Sequence, residues 1–226
     1  DYPAPRPLSF QATAQHDWAV KHWGKTNEGW LCPSARLKPL DSSRPVIGPG
    51  PTYAGTIDSA WQTRGSWWWW WYDTPWPYNP LEIRAGSYGQ NNWLGFGGWG
   101  WGGGGPGYRP EWRFCRDSQI RQPALTPTFA DAVHFWWIWP RETDLPAVNL
   151  ETGALNLGNG MGALTIPRHG SRPSRVPTEH RPEQPLPGAI NVAFYDGHVA
   201  LVKLDRLWQL HWHQDYKPPA RRPGLR

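Results

Sequence analysis

The chain has 226 residues and a formal charge of +5, and it is rich in proline, glycine and tryptophan, with 26, 25 and 19 of each. This length predicts a single domain over residues 1–226 that is large enough for a hydrophobic core. Aromatic residues at 15% of the sequence argue against intrinsic disorder, because their rings can bury large areas. No run of 18 apolar residues occurs, so the sequence predicts no membrane span.

The first half of the chain predicts extended and irregular structure around one aromatic strand. The Pro-rich segment Asp1–Phe10 is predicted to be an extended arm, and Gln11–Trp23 is predicted to be a short amphipathic helix that ends at Gly24. The aromatic segment Ser59–Tyr72 is predicted to be a strand. Alternate side chains of a strand point to opposite faces, so part of its tryptophan run would meet solvent, a ligand or another subunit. That run consists of Trp67, Trp68, Trp69, Trp70 and Trp71.

Further strands are predicted where apolar and aromatic residues cluster between glycines and prolines. The segments are Ile83–Leu94, Trp112–Arg116, Leu125–Asp131 and Leu164–Ile166. The first of them is expected to return beside the aromatic strand that precedes it. The Gly-rich loop Gly95–Gly107, which carries Trp99 and Trp101, is predicted to be flexible until it packs.

The clearest pattern of the chain is a β-hairpin near its C-terminus. Apolar residues alternate with other residues through Ile190–Phe194, and a second β-rich run follows at Val199–Leu204. The dipeptide Asp196-Gly197 between them predicts a type I′ turn, which requires positive φ at both central residues. Asp205 is then predicted to cap the N-terminus of a short helical turn, Arg206–Leu210.

Positive charge is concentrated in two segments, residues 168–181 and the final Lys217–Arg226. The final segment is predicted to be a flexible, solvated tail, although a basic tail could also bind nucleic acid or an anionic surface. The arginine-rich and tryptophan-rich segments lie apart in the sequence, and this separation argues against single-stranded nucleic acid as a partner.

The middle and C-terminal parts of the chain carry groups of residues in a characteristic order, namely Trp30–Pro33, Gly86–Trp93, Pro127–Asp131, Arg168-His169 and Asn191–Val199. Together they resemble bacterial type II secretion pseudopilin-like proteins with a processing-associated His…Asp-Gly motif near the C-terminus. The residues that match this motif are Arg168, His169, Asp196, Gly197 and His198. Two features depart from that family. The segment between His169 and Asp196 is longer, and no prepilin peptidase site followed by a long apolar helix is present.

The strand pattern and the resemblance together predict an α+β fold, mostly an antiparallel β sheet of the pilin-like globular type, loop-rich and with little helix. The resemblance implies a structural subunit of an extracellular filament or pseudopilus, exported by a bacterium. Such a subunit would bind copies of itself through aromatic β surfaces and through the arm Asp1–Phe10, which could complete a neighbour's sheet edge. A contact of this kind need not close, and it would then give fibres.

Two cysteines and two aspartates are candidates for covalent and metal sites. Cys32 and Cys115 fit one disulfide that closes a long loop of an exported protein, with two buried free thiols as the alternative, and the resemblance favours the disulfide. The resemblance also implies a structural calcium, to which the carboxylates of Asp131 and Asp196 are suited, although Asp196 could serve only the turn. Histidine ligands would indicate a transition metal instead. No cofactor is required.

Catalysis is not expected from the sequence. The chain has no Gly-x-Ser-x-Gly elbow, and neither cysteine has a protease-like setting. The alternative function is a secreted glycan-binding module, in which the indoles of Trp67–Trp71, Trp99 and Trp101 would stack on the sugar rings of a polysaccharide.

Overall fold

The structure is a computed structural model, and it describes residues 31–39, 52–64, 83–94, 109–134, 138–154 and 159–226. These residues form two antiparallel sheets connected by loops. Several predicted features lie outside them: the arm Asp1–Phe10, the helix Gln11–Trp23, the run Trp67–Trp71 and the loop Gly95–Gly107 with Trp99 and Trp101.

The smaller sheet has three short strands, β1 (Thr52–Tyr53), β2 (Trp61–Arg64) and β3 (Ile83–Gly86), in the order β1-β2-β3. Both pairings are antiparallel, and Trp61 lies opposite Gly86. A side chain at Gly86 would collide with the Trp61 ring, so the close approach of this indole requires glycine. The predicted pairing of the segment from Ile83 with the preceding aromatic strand is confirmed.

The larger sheet has four strands, β4 (Tyr88–Gln90), β5 (Pro127–Asp131), β6 (Ala189–Phe194) and β7 (Val199–Lys203), antiparallel in the order β4-β5-β6-β7. Only Ser87 separates β3 from β4, so the chain passes directly from one sheet into the other. The predicted strand that ends at Asp131 is confirmed as β5. The predicted strand that begins at Ile83 is divided between the two sheets.

β6 and β7 form the predicted hairpin, but their turn is not the predicted two-residue type I′ turn. The Phe194 N–H donates to the His198 carbonyl (2.9 Å), and the Gly197 N–H donates to the Phe194 carbonyl (3.0 Å). These bonds define a three-residue loop from Tyr195 to Gly197, in which the last residue adopts positive φ, here +92° at Gly197. Tyr195 belongs to the loop and donates its hydroxyl to the Asp117 carboxylate (2.8 Å).

The helices among the described residues are short 3₁₀ turns at Asn92–Leu94, Pro110–Trp112, Asp117–Gln119, Pro123–Leu125, Met161–Ala163 and Leu204–Gln209. No described helix has the length and apolar character needed to cross a membrane. Antiparallel sheets dominate the described part of the chain, its loops are extensive and helix is scarce. The predicted loop-rich, sheet-dominated fold class is therefore confirmed.

Two segments predicted to be strands are not strands. In Trp112–Arg116, Pro110 starts a 3₁₀ turn, and the Arg113 N–H donates back to the Pro110 carbonyl (3.2 Å). In Leu164–Ile166, the first two N–H groups donate to the Met161 carbonyl (3.0 and 3.1 Å). Short-range bonds of this kind, together with bonds to other loops such as that from the Phe114 N–H to the Trp93 carbonyl (3.0 Å), occupy the backbone groups without a partner strand.

The basic segment Lys217–Arg226 is held against the domain by Arg222, whose side chain is fully buried. Its Nε donates to the Asp205 carboxylate (2.5 Å), and its Nη1 and Nη2 donate to the carbonyls of Pro182 and Gln184. The prediction of a solvated tail is therefore wrong for this residue. Asp205 was also predicted to cap the last helical turn, but that turn has no side-chain cap, because the Asp205 carboxylate faces Arg222 instead.

Tryptophans anchor the loops on the core. Trp93, Trp208 and Trp212 are almost completely buried. Each donates its indole N–H to a backbone carbonyl, at 3.0, 2.9 and 2.8 Å. A buried indole N–H without an acceptor would cost about 1–3 kcal/mol, so these bonds fix the accepting segments at defined positions.

Two apolar residues of the hairpin test the assignment of its inner and outer faces. Ile190 on β6 is fully buried, whereas Leu201 on β7 is 57% exposed. We expect Ile190→Ala to lower the free energy of unfolding by about 2–5 kcal/mol, because a cavity replaces the lost methyl groups. Leu201→Ala, the matched control, should change it by less than about 0.5 kcal/mol. Urea unfolding followed by tryptophan fluorescence measures both, and equal losses would contradict the assignment.

Two neighbouring arginines test the docking of the C-terminal segment. Arg222 is buried, and Arg221 beside it is exposed. Arg222→Met should lower the free energy of unfolding by roughly 1–3 kcal/mol, because Asp205 and the carbonyls of Pro182 and Gln184 lose a charged donor. Arg221→Met should have almost no effect. Thermal unfolding of both variants measures the difference, and indistinguishable midpoints would show that the segment is not docked.

Candidate functional site

Arg168 lies at the centre of the candidate site, and its side chain is completely buried. A guanidinium group has five N–H donors, and here each has an acceptor. The acceptors are the carbonyls of Thr56 (2.9 Å), Ile57 (3.3 Å), Ser87 (2.6 Å) and Ala132 (3.3 Å) and the carboxylate of Asp131 (3.0 Å). These residues belong to the β1–β2 connection, the β3–β4 crossing and the end of β5. One side chain therefore joins the two sheets.

Asp131 supplies the negative charge that the buried guanidinium needs. One carboxylate oxygen accepts from Arg168. The other accepts from the Asn191 N–H (2.8 Å) and lies 3.2 Å from Nε2 of His169. Burial alone would raise the pKa of Asp131, but the contacts with His169 and Arg168 together hold this pKa below its ordinary value. The carboxyl group is therefore ionised at neutral pH, and the buried charges compensate each other.

Cys32 and His169 complete the cluster. The Cys32 Sγ and the Asn191 amide nitrogen each lie 3.1 Å from Nε2 of His169. The ligand atoms of Cys32, Asp131 and His169 all lie within 4.8 Å of one another. Burial, together with the negative charge of Asp131, raises the pKa of the Cys32 thiol, and the same two causes raise the pKa of Tyr88 to about 12. The His169 side chain is 19% exposed, which opens the cluster to solvent.

The cluster has the composition of a Cys-His-Asp triad but not its geometry. In a triad, the nucleophile and the carboxylate contact different nitrogens of the imidazole. Here Cys32 and Asp131 both contact Nε2 of His169. The thiol is also 1% exposed with a raised pKa, whereas nucleophilic cysteines are partly exposed and have lowered pKa values. The arrangement favours a structural or ion-binding role over nucleophilic catalysis.

Five of the segments that carry the pseudopilin-like resemblance contribute to this cluster, whereas Trp139-Pro140 and the segment 207–213 of the same resemblance do not. Arg168, His169 and Asp131 were predicted as site or motif residues, and the structure brings them together. Sequence reasoning missed the roles of Ser87 and Asn191, which accept from Arg168 and contact His169, respectively. The available signal was their position inside the motif segments Gly86–Trp93 and Asn191–Val199, but no local pattern predicts that these segments meet.

The predicted disulfide between Cys32 and Cys115 is not formed, and both cysteines are free. Cys32 is buried with its Sγ against His169, whereas Cys115 is exposed, with its Sγ 3.8 Å from the Arg113 carbonyl. The physical reason is that the buried Cys32 thiol contacts His169 within the polar cluster, away from the exposed Cys115.

The predicted calcium pair, Asp131 and Asp196, is also separated in the structure. Phe194 lies opposite Pro127 at the far end of β5, four residues or about 13 Å from Asp131, and Asp196 lies in the turn beyond Phe194. Asp196 occupies the exposed turn, where its carboxylate contacts Nδ1 of His198 (2.6 Å), and this hydrogen bond lowers the pKa of Asp196. Asp196, Gly197 and His198 thus shape the turn, and the two aspartates cannot share one ion.

Comparison with known proteins gives no relative from which the role of the cluster could be inferred. No protein-family model, no curated protein and no solved structure matches this chain. The pseudopilin-like resemblance therefore remains a hypothesis that rests on the motif segments.

Two arginines that pair with aspartates at different depths test the structural role of the cluster. Arg168→Met should lower the free energy of unfolding by about 3–5 kcal/mol, because it leaves the buried Asp131 charge unpaired. The control is Arg172→Met, which removes a two-bond ion pair with Asp58 (2.6 and 3.0 Å) at the surface. Its loss should cost no more than about 1 kcal/mol. Chemical unfolding measures both values, and a small effect at Arg168 would contradict its central role.

Proposed function

We propose that the chain is a structural subunit of an extracellular, pseudopilin-like filament, and that its copies assemble by adding a strand to β7. The observation that carries the proposal is the apolar exposure of this edge strand. Val199 is 66% exposed and Leu201 is 57% exposed, and β7 is the last strand of its sheet. Proteins commonly charge, shorten or cover such an edge, because it otherwise templates pairing with another chain. Lys203, at its end, is the one charged residue of β7.

The backbone of β7 supports the same proposal. The Leu204 N–H donates to the Gly188 carbonyl (3.2 Å), so these two residues form a hydrogen-bonded pair. Hydrogen-bonded and non-hydrogen-bonded pairs alternate along antiparallel strands, so every second residue of β7 has no backbone bond to β6. The N–H and C=O groups of Val199, Leu201 and Lys203 consequently point away from β6. Within the described ranges, no backbone hydrogen bond from outside the sheet reaches these three residues.

The opposite edge of the sheet, β4, is covered. The Tyr88 carbonyl points away from β5 and accepts from the Trp61 indole N–H (3.1 Å). The smaller sheet therefore supplies a partner for the outer edge of this strand. The contrast between the two edges favours β7 as the site of assembly.

The proposed occupant of the β7 edge is the segment Asp1–Phe10 of a neighbouring copy, which lies outside the described residues. Pro3, Pro5 and Pro7 lack an N–H, and in an extended chain all three positions face the same edge. The residue before each proline is biased towards extended conformations. This sequence can therefore pair on one side only, which would close the edge of the neighbour rather than present a new one.

The other functions considered have less support. The buried, charge-compensated cluster around Arg168 is suited to holding the domain together, and we propose no enzymatic activity. Glycan binding depends on Trp67–Trp71, Trp99 and Trp101, which lie outside the described residues, and no described feature favours it over assembly.

Deletion of residues 1–10 and the substitution Leu201→Lys test the proposal from the two sides of the contact. We expect the full chain to form filaments, and each change to leave mainly monomers, because either the added strand is lost or a charge is placed on the edge. The control is Val148→Lys. This variant should assemble normally, because Val148 is 60% exposed and lies outside the strands. Sedimentation velocity and negative-stain electron microscopy measure assembly.

A peptide of residues 1–10 provides a second readout. It should bind the truncated chain saturably and should bind truncated Leu201→Lys at least tenfold more weakly. Unchanged assembly after either the deletion or the Leu201→Lys substitution would contradict strand addition at β7. Monomeric full chain that binds polysaccharide saturably would favour the glycan-binding alternative.

A further inference from the structure

The contacts at Nε2 of His169 exceed what hydrogen bonding can satisfy. This atom lies 3.1 Å from the Cys32 Sγ, 3.2 Å from an Asp131 carboxylate oxygen and 3.1 Å from the Asn191 amide nitrogen. An imidazole nitrogen offers either one N–H or one lone pair. A protonated Nε2 has a single N–H for three neighbours, whichever way the Asn191 amide is turned, and a deprotonated Nε2 would face the negative carboxylate. No single hydrogen-bonding state serves all three neighbours in the arrangement shown.

A metal ion would satisfy the thiolate, the imidazole and the carboxylate together, since each would direct a lone pair at it. A tetrahedral zinc site has bonds of about 2.3 Å to sulfur and about 2.0–2.1 Å to nitrogen and oxygen, which places S and N about 3.5 Å apart and N and O about 3.3 Å apart. The corresponding distances here are 3.1 and 3.2 Å. These two distances would therefore change by only a few tenths of an ångström, and the third, between the Cys32 Sγ and the Asp131 carboxylate oxygen, lies within 4.8 Å.

We propose that Cys32, Asp131 and His169 form a zinc-binding site, with a water molecule as the fourth ligand. Thiolate, imidazole and carboxylate are the ligands that zinc prefers, whereas calcium takes oxygen ligands. Binding would release the thiol proton to solvent and replace the S–H bond with a Zn–S bond. This site is distinct from the calcium pair predicted from the sequence.

The surroundings of the three residues fit a metal site. The Asp131 carboxylate is oriented by Arg168 on one oxygen (3.0 Å) and by the Asn191 N–H on the other (2.8 Å). Backbone bonds in both directions between His169 and Ala189 (2.8 Å each) fix the backbone that carries the imidazole. Supporting contacts of this kind hold metal ligands in position. The 19% exposure of the His169 side chain provides an entry path for the ion.

The site would connect three segments that are distant in sequence: the loop at Cys32, the end of β5 at Asp131 and the strand-like bridge at His169. A metal that binds the folded chain but not the unfolded chain stabilises the fold by mass action. The inferred role of the ion is therefore to stabilise the junction of the two sheets. It does not depend on filament assembly.

Metal analysis of the full chain tests the proposal. After removal of metal with a chelator, the chain is dialysed against zinc and against cobalt(II), and bound metal is measured by mass spectrometry. We expect one ion per chain and, with cobalt, an ultraviolet charge-transfer band from the thiolate. Zinc should also raise the thermal midpoint. Failure of the unsubstituted chain to retain stoichiometric zinc or cobalt would overturn the proposal without reliance on any variant.

Four substitutions locate the ion. Cys32→Ser and His169→Gln should lose stoichiometric zinc, and Cys32→Ser should lose the charge-transfer band. Cys115→Ser and His198→Gln are the matched controls, because both residues are exposed and lie outside the cluster. These two should bind as the unsubstituted chain does. Equal binding by Cys32→Ser and Cys115→Ser would show adventitious binding at the surface and would also overturn the proposal.

Discussion

The fold depends on the burial of one guanidinium group. Removing an arginine from water is costly unless its charge is paired and all of its donors are accepted. Arg168 meets both conditions, with Asp131 as its counterion and four backbone carbonyls as further acceptors. Because these acceptors come from the connections of both sheets, the guanidinium can be satisfied only when the sheets lie in one relative position. It therefore contributes specificity as well as stability.

Sequence reasoning succeeded where structure is determined locally. Alternation through β6 and the Asp-Gly turn predicted the hairpin, because side-chain period and turn chemistry act over neighbouring residues. It failed at Asp205 and Cys32. The local pattern predicts a helix cap for Asp205, and the number of cysteines suggests a disulfide for Cys32. In the structure, however, Asp205 pairs with Arg222 and Cys32 contacts His169. The meeting of Ser87 and Asn191 in the cluster depends on tertiary contacts that no spacing in the sequence specifies.

The polar groups of the domain are distributed in two contrasting ways. Inside, the charges of Arg168 and Asp131 and the indole donors of the core tryptophans have partners within the same chain. At β7, the side chains of Val199 and Leu201 are exposed, and the outward-facing backbone groups have no hydrogen-bond partner among the described residues. An interior whose buried charges are paired, beside an open apolar edge, is the pattern that the proposed filament subunit requires. A zinc ion at Cys32, Asp131 and His169 would strengthen the interior and leave the edge unchanged.

Electron cryomicroscopy of the assembled full chain tests strand addition most directly. We expect the reconstruction to show an extended segment from a neighbouring copy hydrogen-bonded to Val199, Leu201 and Lys203, with the side chains of residues 1–10 fitting its density. A filament in which β7 remains an unpaired edge, or in which the contacts are made elsewhere, would contradict the proposed mode of assembly.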